Sequence, residues 1–132
     1  MDRPGLERWV AAYERLWRTP GTDALGELFA EDATYSTAPY EAPYRGLPAI
    51  AAFWEGGRDG PDEDFTMTVE VVAVEAAAGV VRVAVRYDVD PPQEFRDLWV
   101  VRIADDGRCT HFEEWPFAPP GQPPPHWAPG PF

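Results

Sequence analysis

The spacing of apolar residues changes from a helical period to an alternating one about half-way along the chain. Near the start, apolar residues recur every three or four positions and predict an amphipathic helix through Leu6, Trp9, Val10, Tyr13, Leu16 and Trp17. Residues 65–76, 80–89, 94–103 and 108–117 instead read as strands separated by turn signals. Helices that precede long antiparallel strands bury their apolar faces by packing on one face of the sheet. The chain is therefore predicted to be an α+β domain.

Three helices are predicted before the long strands. Asp2 can cap the first helix, and a proline–glycine pair ends it. A short second helix is expected to bury Leu25, Leu28 and Phe29, and a third to run from residue 47 to about residue 55. The three helices are therefore expected to form one layer of the domain and the sheet the other.

Composition excludes several kinds of chemistry. The 132 residues carry a formal net charge of −12, and all 11 basic side chains are arginine. Because binding to nucleic acid or to an anionic membrane needs clustered positive charge, neither is expected as a partner. The absence of lysine excludes a Schiff base, and the single cysteine, Cys109, excludes an internal disulfide or a cysteine-based metal site. We expect no cofactor and no metal.

Residues 1–117 are expected to form one domain, and residues 118–132 a proline-rich tail. The tail is expected to pack on the domain or on a dimer partner through Trp127 and Phe132. No apolar stretch approaches the length of a membrane helix or of a signal-peptide core. A cytoplasmic location is therefore expected.

Three segments together resemble the NTF2-like superfamily, in particular its SnoaL-like members. They are the run from Leu25 to Tyr35, the run from Gly46 to Trp54, and the final hairpin from Asp97 to Trp115. The resemblance covers about residues 5–117 and implies a cone-shaped, mostly antiparallel sheet closed by three helices. It also implies a deep apolar pocket and a homodimer through the outer face of the sheet. Ketosteroid isomerases, polyketide cyclases, scytalone dehydratase and limonene epoxide hydrolase share this fold, so the fold alone does not identify an activity.

Two acidic residues are the main candidates for chemistry. Asp97 is the single charge on the apolar face of the third long strand. On the last strand, counting through the preceding turn places Glu113 on the pocket face, whereas the additional bulge usual in the family places Glu114 there instead. We favour the second register, which would put Glu114 directly opposite Asp97 and allow one carboxyl to titrate high as a general acid.

Comparison with ketosteroid isomerase makes that particular mechanism improbable. Tyr13 falls at the position of the oxyanion-binding tyrosine, but Thr37 and Trp99 stand where that enzyme has its general base and its protonated aspartic acid. Glu114 is similar to the last-strand acid of polyketide cyclases, although the histidine partner of that group has no equivalent because His111 is expected to face outward. An epoxide-hydrolase-like carboxylate–arginine set remains an alternative.

The rest of the predicted pocket wall is aromatic except for Thr37 and comprises Trp17, Tyr35, Thr37, Phe53, Trp54, Trp99 and Phe112. Such a wall suits a small apolar or aromatic molecule that carries oxygen. The first hypothesis is a cofactor-independent lyase, isomerase or cyclase, in which Glu114 and Asp97 share acid/base work and Tyr13 binds a substrate oxygen. A binding domain without catalysis and a protein-interaction domain are the alternatives.

Overall fold

A computed structural model describes residues 1–57 and 64–125 and shows helices packed on one six-stranded sheet. The elements are α1 (Arg3–Trp17), α2 (Leu25–Leu28), β1 (Phe29–Ser36), β2 (Tyr44–Arg45), α3 (Leu47–Gly57), β3 (Phe65–Glu75), β4 (Ala78–Tyr87), β5 (Gln93–Ile103) and β6 (Cys109–Phe117). The predicted α+β class is confirmed.

Helix α1 begins and packs as its sequence predicts. The Asp2 side chain accepts a hydrogen bond of 2.8 Å from the backbone N–H of Gly5, which satisfies a donor that the first turn leaves free. The apolar stripe is buried at Leu6, Trp9, Val10 and Tyr13. In addition, the Trp9 indole donates to the carbonyl of Leu28 at 3.0 Å, so α1 is fixed to the end of α2 by a hydrogen bond.

The second predicted helix is shorter than expected. It comprises the single turn Leu25–Leu28, and Phe29 already belongs to β1. Phe29 was predicted to be buried at the end of the helix and is fully buried in the strand. Its apolar character therefore could not distinguish the end of a helix from the start of a strand. The two-residue strand β2 was not predicted, because two residues are too few to show alternation.

The sheet is mixed, in the order β2-β1-β6-β5-β4-β3. Strands β1 and β6 run parallel, and every other neighbouring pair is antiparallel. This arrangement places the last strand in the middle of the sheet, between the first strand and the long hairpins. Side chains on the helix-facing side of β5 and β6 are consequently surrounded by sheet on both flanks and by helices above.

A bulge near the start of β6 determines which of its residues face the helices. Arg102 of β5 pairs with His111, but the next residue, Ile103, pairs with Cys109, so that Thr110 has no partner. An unpaired residue changes which side of the strand the following residues occupy. Phe112 and Glu114 therefore face the helices, and Glu113 faces the opposite side, which we call the outer face.

The first part of the proline-rich tail lies against β5. The side-chain amide of Gln122 donates to the carbonyl of Glu94 at 2.8 Å and accepts from its N–H at 3.0 Å. Pro125, three residues on, is buried. The expected contacts of Trp127 and Phe132 fall outside the described residues. Within residues 1–57 and 64–125, no helix is long and apolar enough to span a membrane.

Candidate functional site

A cavity lies between the sheet and helices α1 and α3, with a free volume of about 60 Å³. One water needs about 10–15 Å³ on this scale, so the space suits a few waters or one small molecule. Half of the lining residues are aromatic: Tyr13, Trp17, Tyr35, Phe53, Phe65, Tyr87, Phe95 and Trp99. The others are Gly57, Met67, Val83, Val85, Asp97, Glu114, Pro116 and Pro125.

Two carboxyl groups line this otherwise apolar cavity. Asp97 and Glu114 are each only 7% exposed, and both project from the helix-facing side of the sheet. The sequence predicted that the two acids lie directly opposite each other, and this prediction is wrong. Asp97 pairs with Pro116, and Glu114 pairs with Trp99. The two acids are therefore diagonal neighbours on adjacent strands, a relation in which long side chains still interact.

The Glu114 carboxyl ends a short chain of hydrogen bonds. The Tyr35 hydroxyl donates to Glu114 Oε1 at 3.1 Å, and the hydroxyl oxygens of Tyr13 and Tyr35 are 3.0 Å apart. The Tyr13 hydroxyl, on α1, is thereby connected to a carboxyl on β6. This chain orders three polar groups inside an apolar environment, where unpaired polar atoms are costly.

The Asp97 carboxyl is only half satisfied by protein groups. The indole N–H of Trp99 donates to Asp97 Oδ2 at 3.3 Å. The other oxygen, Oδ1, is buried and accepts from no N–H or hydroxyl among the described residues. The Glu114 carboxyl lies within hydrogen-bonding reach of the Asp97 carboxyl, so the two acids interact directly when one of them is protonated. Most buried polar atoms in proteins have a partner, so an unpaired carboxylate oxygen at a cavity wall requires an explanation.

Burial raises the pKa of both acids. The pKa of Asp97 rises from 3.8 to about 6 because the carboxyl is buried, and the hydrogen bond from Trp99 offsets part of the rise. The pKa of Glu114 is raised well above its ordinary value, first by burial and then by the negative charge of Asp97. Burial and Glu114 also raise the pKa of Tyr13 and of Tyr35, so both hydroxyls keep their protons. An acid and a base can thus coexist in one cavity near neutral pH.

Sequence comparison identifies the family. The SnoaL-like domain family matches residues 6–112, which is most of the chain. The protein belongs to the SnoaL-like family. No curated protein shows significant sequence similarity to it.

Solved structures share the fold of this SnoaL-like domain. A steroid delta-isomerase from Pseudomonas aeruginosa has a TM-score of 0.62 at 21% identity, over 86% of this chain and 80% of that one. A protein from Sinorhizobium meliloti assigned as a polyketide cyclase has a TM-score of 0.63 at 24% identity, over 83% and 97%. An epoxide hydrolase from M. tuberculosis, similar to limonene epoxide hydrolase, has a TM-score of 0.60 at 17% identity, over 83% and 80%. At these identities the likeness shows the fold alone.

Four of the predicted pocket residues line the cavity and three lie elsewhere. Trp17, Tyr35, Phe53 and Trp99 are in the wall. Trp54 and Phe112 instead fill the core behind it, with ring centroids 4.9 and 5.5 Å from that of Tyr13. Thr37 is also not in the cavity wall, because it follows the end of β1 and lines a separate apolar hollow with Trp115 and Phe117.

Sequence reasoning left out of the pocket the part of the wall that β3 and β4 supply, together with Phe95 of β5. Phe65 pairs with Tyr87 across β3 and β4, and Phe95 lies next along the sheet, with ring centroids 5.5 and 6.2 Å from that of Tyr87. Alternation placed these rings on strands but gave no relation between the strands. A bulge between Val71 and Ala73 sets this pairing, and alignment of the β3–β4 hairpin about its turn alone would have placed Phe65 opposite Asp88 instead.

A histidine and two arginines lie on the outer face of the sheet. His111 bridges Thr34 and Glu113, with Nδ1 2.6 Å from the threonine hydroxyl and Nε2 3.0 Å from the carboxyl. Arg82 and Arg96 are exposed and lie beside glutamates. Among the described residues, no arginine lines the cavity.

Proposed function

We propose that this SnoaL-like domain is a cofactor-independent acid/base enzyme, an isomerase, lyase or cyclase that acts on a small, largely apolar molecule. The observation that carries the proposal is the pair of buried carboxyls, Asp97 and Glu114, in one aromatic cavity. Enzymes of this kind need an acid and a base at the same site near neutral pH. The isomerase and the assigned cyclase among the structural neighbours support the same reaction classes.

In the proposed mechanism, the pair holds a single proton near pH 7, and that proton resides on Glu114. Asp97 is then ionised, and its free Oδ1 removes a proton from the substrate. Glu114 returns a proton to another substrate atom, and Tyr35 holds its carboxyl in place by the bond to Oε1. The Tyr13 hydroxyl, which lies 3.0 Å from that of Tyr35 and also interacts with the Glu114 carboxyl, can turn to a substrate oxygen.

Carboxyl titration by NMR tests the paired acids before any substrate is known. We expect two carboxyl signals to titrate above their free values in the wild type, and the Glu114 signal to move back towards normal in Asp97→Asn, because the neighbouring charge is gone. Glu114→Gln should remove the Glu114 signal and leave only that of Asp97 perturbed.

The matched control for this titration is Glu113→Gln. It removes the same charge one residue away, on the outer face, and should leave both cavity carboxyls unchanged. If every carboxyl in the wild type titrates near its free value, the acid/base proposal fails and a binding domain without catalysis is the better description.

A homodimer in the cytoplasm through the outer face is proposed as the working form. Apolar side chains lie exposed there, with Leu98 at 38% and Phe117 at 55% exposure. Such side chains at the centre of a sheet face are typical of an interface. We expect Leu98→Glu to yield a monomer in analytical ultracentrifugation, whereas Val89→Glu, at an exposed position in the loop after β4, should not. A monomeric wild type would overturn this proposal.

A further inference from the structure

The cavity-lining residues that the structure describes carry negative charge and no positive charge to balance it. Asp97 and Glu114 both reach its wall. The chain contains no lysine, and none of the described lining residues is an arginine or a histidine. A buried carboxylate without a cationic partner is costly, and either protonation or a bound cation reduces that cost. Among the described residues, the cavity therefore has two acidic groups and no cationic group to pair with them.

Asp97 Oδ1 marks the point at which such a group would bind. Asp97 is 7% exposed, its Oδ2 already accepts from Trp99, and Oδ1 accepts from no N–H or hydroxyl among the described residues. The neighbouring Glu114 carboxyl can share a proton with Asp97 but brings no positive charge. An ammonium N–H supplies a donor and an opposite charge in the same group. Charge-assisted hydrogen bonds of this type are about twice as strong as neutral ones.

The walls around this oxygen also favour a cation. Eight of the lining side chains are aromatic, and the rings of Tyr13 and Trp99 lie with their centroids 4.5 Å apart beside Asp97. Aromatic faces carry partial negative charge and attract ammonium groups, most strongly where water is excluded. The edges and faces of the remaining rings contact the apolar part of a ligand.

We propose that the cavity binds a small protonated amine, with the ammonium group on Asp97 Oδ1 and the apolar substituent against the aromatic walls. The free volume of about 60 Å³ limits the substituent to one small ring or a short branched chain. The net charge of −12 favours the approach of cations over that of anions. This inference uses the same cavity as the proposed function but does not depend on turnover. Because the ammonium group would occupy the Asp97 oxygen that acts as the base in the proposed mechanism, the amine is a ligand that competes with the substrate and is not itself the substrate.

The test compares cyclopentylamine with cyclopentanol, which have the same ring and differ in charge. The full chain is titrated with each compound at pH 7.5, and binding is followed by NMR at the indole N–H of Trp99. We expect saturable amine binding at least tenfold tighter than alcohol binding. No saturable amine binding, or an alcohol that binds as tightly as the amine, would overturn the inference.

Two variants locate the binding. Asp97→Asn should weaken amine binding at least tenfold and leave alcohol binding unchanged, whereas Glu113→Gln should change neither. Amine affinity retained in Asp97→Asn would overturn the assignment to Oδ1. The comparison of amine and alcohol on the wild type stands even if a variant folds poorly. Amine binding to a protein whose carboxyls all titrate near their free values would refute the acid/base enzyme but not the ligand class, and turnover of a neutral compound without amine binding would do the reverse.

Discussion

Replacement of Asp97 by asparagine should stabilise the protein at neutral pH, and by an amount that depends on pH. The unfolded chain releases this proton near pH 3.8 and the folded protein near pH 6, because the carboxyl is buried. Between these values the folded state binds more protons than the unfolded state, so stability falls as the pH rises. Asparagine does not titrate, so the variant lacks this loss.

The size of the effect follows from the two pKa values. Their difference corresponds to about 3 kcal/mol of unfolding free energy lost between pH 3.5 and pH 7.5, at about 1.4 kcal/mol for each tenfold change. About half of this, roughly 1.5 kcal/mol, falls between pH 5 and pH 7.5. The amide also places an N–H near Trp99 and the cavity, which adds a cost that is the same at every pH.

Urea unfolding followed by tryptophan fluorescence measures this difference. The free energy of unfolding is determined at several pH values from 5 to 7.5 for the wild type and for Asp97→Asn. We expect the variant to gain about 1.5 kcal/mol relative to the wild type across that range. Asp105→Asn removes the same charge at an exposed turn and should show no such trend. A difference between Asp97→Asn and wild type that stays constant with pH would refute the reasoning.

Three further predictions concern packing, the tail and the cysteine. Gly79→Ala should lower the unfolding free energy by about 1–3 kcal/mol, because its Cβ would meet the buried Leu6 side chain; unchanged urea unfolding would contradict this. Gln122→Ala should cost about 1–2 kcal/mol at most and speed amide exchange at Glu94, since two hydrogen bonds are lost; unchanged exchange would show that the tail is held by other contacts. Burial raises the pKa of Cys109 to about 12, so a thiol reagent at pH 8 should label it only after urea unfolding, and rapid labelling of the folded protein would contradict its burial.

Most elements could be predicted because their signals are local. The first helix has its cap and its stripe within one continuous segment, and each long strand shows its own alternation. The boundary between α2 and β1 could not be located, since Phe29 is apolar and buried in either conformation. The parallel contact of β1 with β6 joins the two ends of the domain, and no pattern within one segment indicates it.

The candidate site was predicted in its residue types more than in its geometry. Alternation on β5 singled out Asp97, and the favoured register placed Glu114 on the same side. The diagonal relation between them depends on how β5 and β6 pair, which a single strand pattern does not contain. Thr110 shows why, because threonine is common in strands and gives no sign that this one is unpaired.

Because Thr110 has no partner residue in β5, β6 contains one residue more than the pairing with β5 needs. If Thr110 were deleted, Cys109 and His111 would follow the regular alternation, and Glu114 would still lie opposite Trp99. If Glu113 were deleted instead, Glu114 could stay opposite Trp99 only if Thr110 became paired and the bulge disappeared. Phe112 would then face outward and His111 would face the core. The acid in the cavity is therefore protected against the loss of one neighbouring residue, while the packing beneath it is not.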